Sequence, residues 1–461
     1  MRAACLLFAI TMAASAQVRL PEYTTRTLEN GVRLQLLAKR DVPLVALQAT
    51  VRGGAEADPA EKAGLASVTA AMLRRGTKSR SAEQFSAELD SIGATFSASA
   101  DEQATYVSAR FLSKDLDKAI DLFADVIVDP AFPEAEVTKL LRQRIDSVRA
   151  SKDSARGVMR SYYREFFFPA GHPYAKQPRG DELTLERLNR EDITGYHRKA
   201  YTGRNLVVTA VGDFDVDVLE RRLAAKFGKL PAGEAYEWVT EAPPLAREKA
   251  RLVLVDKPDA TQTYFFIGQP GISRTDKDRV AMALINTLFG GRFTSLLNDA
   301  LRVNAGLTYG AYSSMQRNRL QGWLAIDSYT PTETTAQAID LALEVLRGLH
   351  ENGIDAGQLA SAKAYVKGRF PTRSVETAGQ LANVLGDLAL YGLGRDEIDE
   401  FFARIDAVTL EQANAIIKKH YRTENLQFLL LGNAAAIKDE VAKYAGEAPV
   451  IPVTKPGFHT E

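Results

Sequence analysis

Cysteine is nearly absent from these 461 residues: the one thiol is Cys5, so no internal disulfide can brace the fold. Stability has to come from buried apolar surface instead. No charge of either sign dominates, with 58 basic and 58 acidic residues. That balance removes the basic excess expected of a nucleic-acid-binding chain and the acidic tract of a solvating tail. Histidine is scarce as well. His172, His197, His350, His420 and His459 lie too far apart in sequence for any two to share a helix face, and no His-x-x-Glu-His occurs. Gly-x-Gly-x-x-Gly and Walker patterns are missing, which leaves no nucleotide-binding signature. Past residue 16, no run reads as long and apolar enough to cross a bilayer, so no stable membrane span is expected.

What is present is ordinary globular composition, 46% hydrophobic and 25% charged, on a length that favours more than one domain. The first residues, MRAACLLFAITMAASAQ, have one early charge (Arg2), an apolar stretch from Ala3 to Ala13, then Ala14-Ser15-Ala16. This three-part layout predicts a secretory signal peptide over residues 1–16 and an exported, periplasmic protein.

An internal repeat follows. YTGRNLVVTAVG (Tyr201–Gly212) and YRTENLQFLLLG (Tyr421–Gly432) share Tyr, Asn-Leu and Gly at the same spacing. Each comes after an amphipathic helical stretch and runs through a buried-looking strand into another helix. The halves also begin alike: VRLQLLAKRDVPLVALQATVRGG and ARLVLVDKPDATQTYFFIGQPG both read as strand, turn and strand. A period near 220 residues is too long for a solenoid and predicts two copies of one α+β domain, residues 17–230 and 251–446. Each copy is expected to be a mostly antiparallel sheet covered by helices on one face. Between them, residues 231–250 carry Pro231, Pro243 and Pro244 without periodic apolar pattern, as a linker does; residues 447–461 read as a tail that includes His459. His197 and His420 read as lying on polar helix faces.

Several blocks, in order and across both halves, resemble the pitrilysin/insulinase metallopeptidases, in particular the mitochondrial-processing-peptidase-like branch. GLASVTAAMLRRGT (64–77) resembles that family's Gly-Leu-Ala-His-x-x-Glu-His-Met-Leu-x-x-Gly-Thr, and the stretch from Ser81 to Phe132 and HPYAKQPRGDELTLERL resemble blocks that follow it. In the second half, LFGGRFTSLLNDALRVNAGLTYGAYS resembles the family's Gly-Gly, Leu-Arg and Gly-Leu-x-Tyr segment. In active members two histidines four residues apart hold zinc from one helix face, and the glutamate between them is the general base toward metal-bound water. By this resemblance Ser67 and Ala71 stand where the histidines would be, and Ala70 where the glutamate would be. The third family ligand, a glutamate on a later helix, maps to Ser147 with Asp146 adjacent. A serine hydroxyl does not replace two imidazoles as a zinc ligand, so the resemblance implies no catalytic residue, no metal ligand and no cofactor in this chain.

The second half keeps more. Phe293, Leu296, Leu297, Ala300 and Leu301 fall at i, i+3, i+4, i+7 and i+8, a core-facing helix pattern. Arg302 comes at its last turn and Gly306 suits the turn that ends it; Leu307, Tyr309 and Ala311 then alternate as one strand face. Such a turn brings Arg302 and Tyr309 together. From spacing alone, Arg302 could simply favour a helix C-terminus and Tyr309 simply pack. The resemblance gives both a substrate-binding role across the peptide cleft. Glycines 290 and 291 suit a close backbone approach, and GATFSASAD (93–101) reads as an edge strand of the kind that lies beside bound peptide in the family.

One half of a bipartite site is thus erased and the other kept. The expectation is a non-catalytic, peptide-binding subunit, one half of a clamshell, whose zinc-bearing family partner supplies the metal. A purely scaffolding member and a stand-alone peptidase with unrecognised ligands are the rival readings.

Overall fold

The computed structural model describes residues 18–460, so the signal-peptide segment, residues 1–16, lies outside the described residues. Among the described residues, twelve strands form two six-stranded sheets. The first contains β1 (Thr24–Thr27), β2 (Arg33–Ala38), β3 (Leu44–Arg52), β4 (Thr95–Ala100), β5 (Ala104–Leu112) and β6 (Leu206–Gly212), in the order β1-β2-β6-β3-β5-β4. The second contains β7 (Arg251–Asp256), β8 (Gln262–Pro270), β9 (Ala311–Met315), β10 (Trp323–Pro331), β11 (Gln427–Gly432) and β12 (Val450–Pro452), in the order β12-β7-β11-β8-β10-β9. Five positions of one order map onto five of the other, so the sequence repeat is a repeat of topology. The parallel pairs are β2 with β6, β7 with β11 and β12 with β7; the rest are antiparallel. Central strands such as β6 are buried along their whole length, as a run of Val and Ala requires. At the rim, β4 alternates in exposure and pairs only with β5.

Each sheet packs one face on its own helices, and the other half of the chain covers the second face. Four helices matter for the site: α1 (Leu65–Met72), α2 (Glu134–Ser151), α3 (Ala155–Phe167) and α4 (Ala378–Tyr391). From the first half, α3 lies on β8 and β11, with Tyr163 stacked on Phe266 at 4.8 Å. From the second half, α4 lies on β3 and β6, where Leu381, Leu385 and Leu388 meet Leu37, Ala46 and Val211. The one-sided covering expected from sequence is therefore incomplete, because the exchange pairs segments about 100 or more residues apart. Gly268 permits it: a Cβ there would overlap the Tyr163 hydroxyl.

Two further expectations are corrected. Residues 447–461 are packed and not a tail: β12 pairs with β7, Ile451, Val453 and Phe458 are buried, and Gly457 donates its N–H to Glu182 at 2.9 Å. Sheet 2 has no counterpart of β1, and this returning segment fills its edge. One run, Arg279–Asn304, does reach the length and apolar character of a bilayer span, contrary to the sequence reading. It is interrupted at Arg292, whose backbone is extended, and Met282, Ile285, Leu297 and Leu301 along it are core residues of the second half. The stretch 231–250 has no helix or strand; Val239 donates its N–H to Glu56 and Arg319 lies over the Trp238 ring at 4.5 Å.

Candidate functional site

Gly64, in the left-handed region at φ 97°, starts α1, and the Asp58 carboxylate caps it by accepting the N–H groups of Gly64 and Ala66, both at 2.9 Å. The expected apolar residues Leu65, Val68, Met72 and Leu73 are all buried. Ser67 and Ala70 are buried too, and Ala71 is half-buried. On α2, Ser147 and Asp146 face solvent. The group that reaches Ser67 is Arg144, whose Nη1 donates to Ser67 Oγ at 3.4 Å. Arg144 sits one helical turn before Ser147, and its long side chain covers the distance that a serine cannot. Burial, then the neighbouring Arg179 and Arg75 charges, depress Arg144 below the ordinary arginine range, which marks it as a desolvated guanidinium. A hydroxyl, two methyl groups and a guanidinium do not fit a zinc ion: they offer one weak ligand and a charge that repels a dication. No step through a metal on this helix follows.

Burial pushes the Asp58 carboxyl up to about 7, against the pull of the Ala66 and Gly64 N–H groups and the Lys176 ammonium. A carboxyl raised on folding holds its proton more tightly in the native state. This group therefore makes stability fall as pH rises between its unfolded value of 3.8 and about 7. Asp58→Asn is expected to flatten that slope, read as a smaller difference in urea midpoint between pH 5 and pH 7.5 than in the unchanged protein.

In the second half, the structure brings together the two predicted residues and adds a third. The Arg302 guanidinium lies 4.5 Å from the Tyr309 ring centroid and 4.6 Å from that of Phe293, a cation held between two rings. Both rings are exposed, Tyr309 at 73% and Phe293 at 59%, so the stack is a surface feature and not core packing. Among the described residues no carboxylate pairs with Arg302. Two sequence expectations fail here. Phe293 is not on the core face, because the helix starts only at Leu296, with Ser295 as its cap on the Asn298 N–H. The Ser295 cap signal could have placed that start. Leu307, Tyr309 and Ala311 do not share a strand face, because β9 begins at Ala311.

Local geometry holds the stack. The short helix Leu296–Asn298 widens into a π-helical turn over Asp299–Asn304, which re-aims Arg302 relative to an α-helical phase. Gly306, at φ 64°, reverses the chain as its position predicted. Buried Asn298 donates to the Phe293 carbonyl at 2.7 Å and accepts the Ala311 N–H at 3.3 Å, tying both ring-bearing segments to one side chain. Gly290 makes the predicted close approach, since a Cβ there would strike the Ser313 backbone.

The histidines lie apart, and no group of three His, Cys, Asp or Glu suited to a metal occurs among the described residues. His197 is not on a polar face: it stacks on Tyr201 at 4.4 Å and its Nε2 lies 2.9 Å from the Ile127 carbonyl. His420 faces Asp278 at 3.0 Å, and His459 faces Glu165 at 3.1 Å. The edge-strand expectation for GATFSASAD holds, since β4 is the outer strand of the first sheet with one edge unpaired.

Known proteins resemble this chain over most of its length. Residues 36–164 match the insulinase (peptidase family M16) model, and residues 187–366 match the model described as peptidase M16 inactive domain. An uncharacterized zinc protease of Streptomyces coelicolor is 25% identical over 355 residues, 75% of this chain and 76% of that protein. A non-peptidase homolog of Helicobacter pylori is 23% identical over 393 residues, 85% of this chain and 90% of that protein. Among solved structures, the peptidase M16 inactive domain from Pseudomonas fluorescens superposes with a TM-score of 0.83 at 24% identity, covering 93% of this chain and 99% of its own.

Proposed function

The chain belongs to the insulinase (M16) peptidase family, as a member without the family's metal-binding residues, and from that premise we propose that it is the substrate-holding subunit of a heteromeric zinc peptidase. A zinc-bearing M16 chain would face it as the other half of a clamshell and supply the metal and the general base. This chain, exported to the periplasm, would contribute Arg302 and Tyr309 to peptide held in the chamber. The observation that carries the reading is the asymmetry of the two halves. The α1 site is filled by Ser67, Ala70 and Arg144, whereas Arg302 stays exposed between two rings with no carboxylate partner among the described residues. A guanidinium with a fixed plane offers several donors to peptide carbonyls, and a phenol can donate to an oxyanion.

Reconstitution tests this. The isolated chain is expected to show no chelator-sensitive cleavage of unfolded peptide, and cleavage is expected when it is mixed with a zinc-bearing M16 subunit from the same host. Stoichiometric zinc and hydrolysis in the isolated chain would overturn the proposal. Phe293→Leu removes one ring from the stack at a cost of about 0.5–1 kcal/mol. It is expected to weaken binding of a labelled unfolded peptide by about two- to fivefold, measured by fluorescence anisotropy.

A further inference from the structure

Between the first turns of α3 and the strands β8, β9 and β10 lies a cavity of about 220 Å³, adjoining the Arg302 stack through Gly310. Its walls are aromatic: Tyr264 and Tyr329 stack on each other at 5.1 Å, and Tyr312 and Phe266 flank Asp327 in register across the sheet. Asp327 is the carboxylate of this cavity. It points to the same side of β10 as Trp323 and Tyr329 by strand alternation, and α3 sets Arg156 and Arg160 one turn apart along the opposite wall. No hydrogen bond or ion pair within 4 Å reaches the Asp327 carboxylate among the described residues, and none reaches the two guanidinium groups. Burial raises Asp327 above the ordinary aspartate range, and Arg160 and Arg156 offset this only through space.

Opposite charges therefore share one cavity without meeting, and that gap restricts the occupant. An anion alone would leave the half-buried Asp327 unpaired, and a cation alone would face two guanidinium groups at the exposed rim. A ligand carrying both signs a few ångströms apart satisfies all three. The volume is below the range of about 300–1,000 Å³ typical of drug-sized ligands, so the ligand is small. We propose that this cavity binds a small zwitterion with an apolar or aromatic side chain, an α-amino acid or a dipeptide. Its ammonium meets Asp327, its carboxylate meets Arg156 and Arg160, and its side chain lies on the tyrosine wall. Such molecules are the products that peptide hydrolysis releases, so the cavity would retain or sense product beside the peptide-holding stack.

The test needs only the isolated chain, so its failure leaves the Arg302 reading untouched. Calorimetric titration with L-phenylalanine and with a phenylalanine-containing dipeptide is expected to show saturable binding, and the tighter of the two identifies the occupant. N-acetyl-phenylalanine, which lacks the ammonium, and phenylalanine amide, which lacks the carboxylate, are each expected to bind at least tenfold more weakly. Asp327→Asn should abolish discrimination against the acetylated form, and Arg156→Gln with Arg160→Gln discrimination against the amide. Unchanged thermal melting of these variants would show that they fold. The proposal is overturned if neither zwitterion saturates the chain, if the capped forms bind equally well, or if Asp327→Asn leaves the discrimination intact.

Discussion

Arg302→Ala is expected to lower kcat/KM for peptide cleavage by the reconstituted complex by about 10- to 100-fold, with thermal stability of the chain almost unchanged. The functional loss follows from removing a charged donor, worth about 1.5–3 kcal/mol when its acceptor is a carbonyl or a developing oxyanion. The unchanged stability follows from what surrounds the guanidinium. It is only half-buried and has no ion-pair partner among the described residues, so its loss strands no buried charge. Arg302→Lys should recover little, because an ammonium lacks the planar fork that Phe293 and Tyr309 hold between them. Tyr309→Phe separates the two roles of that residue: the ring over the guanidinium stays and the donor hydroxyl goes. A scaffolding role would leave cleavage intact in all three variants, and that result would remove the proposed contribution of the pair.

A second substitution, Glu182→Ala, should cost about 3–5 kcal/mol of folding stability, read as a large drop in the urea midpoint. Glu182 and Lys152 form an ion pair at 2.6 Å, and both side chains are less than a tenth exposed. Glu182 also accepts the Gly457 N–H, while Lys152 donates to the Lys455 carbonyl at 2.7 Å and lies over the Phe458 ring. Removing the carboxylate therefore leaves an ammonium buried without its countercharge and releases the segment that returns along sheet 2. Limited proteolysis should then cut within residues 453–460, where the unchanged protein resists. Replacing both partners by apolar residues of similar size, Glu182→Leu with Lys152→Met, should cost much less than Glu182→Ala alone, because no charge is then stranded. A double variant as unstable as the single one would mean that the hydrogen bonds to the returning segment, and not the charge, carry the stability.

Local pattern was enough for a good part of this protein. The repeat was legible because Tyr, Asn-Leu and Gly recur at equal spacing ahead of apolar strands, and such runs find equivalent places in equivalent sheets. Loss of the metal ligands on α1 was legible because residue type alone decides it: hydroxyl and methyl groups do not hold zinc wherever they point. The nearness of Arg302 to Tyr309 was legible because a turn containing Gly306 constrains neighbours only seven residues apart.

Contacts over long sequence separations were not legible. Arg144 meets Ser67 across 77 residues, Lys152 reaches the Lys455 carbonyl across 303, and α3 and α4 each seal the sheet of the opposite half. Periodicity reports which face of an element is apolar and carries no information on which distant segment will cover it. Phe293 is the instructive case: its spacing matched a core helix, yet the Ser295 cap starts the helix after it and leaves its ring outside, against the guanidinium that the π-helical turn re-aims. Residue type and short-range spacing were enough to show that the first helix carries no imidazole or carboxylate and that the second half keeps an arginine and a tyrosine seven residues apart. What lies against Ser67, and which rings flank the arginine, became visible only in three dimensions, because the first depends on packing across 77 residues and the second on where a capped helix starts and widens.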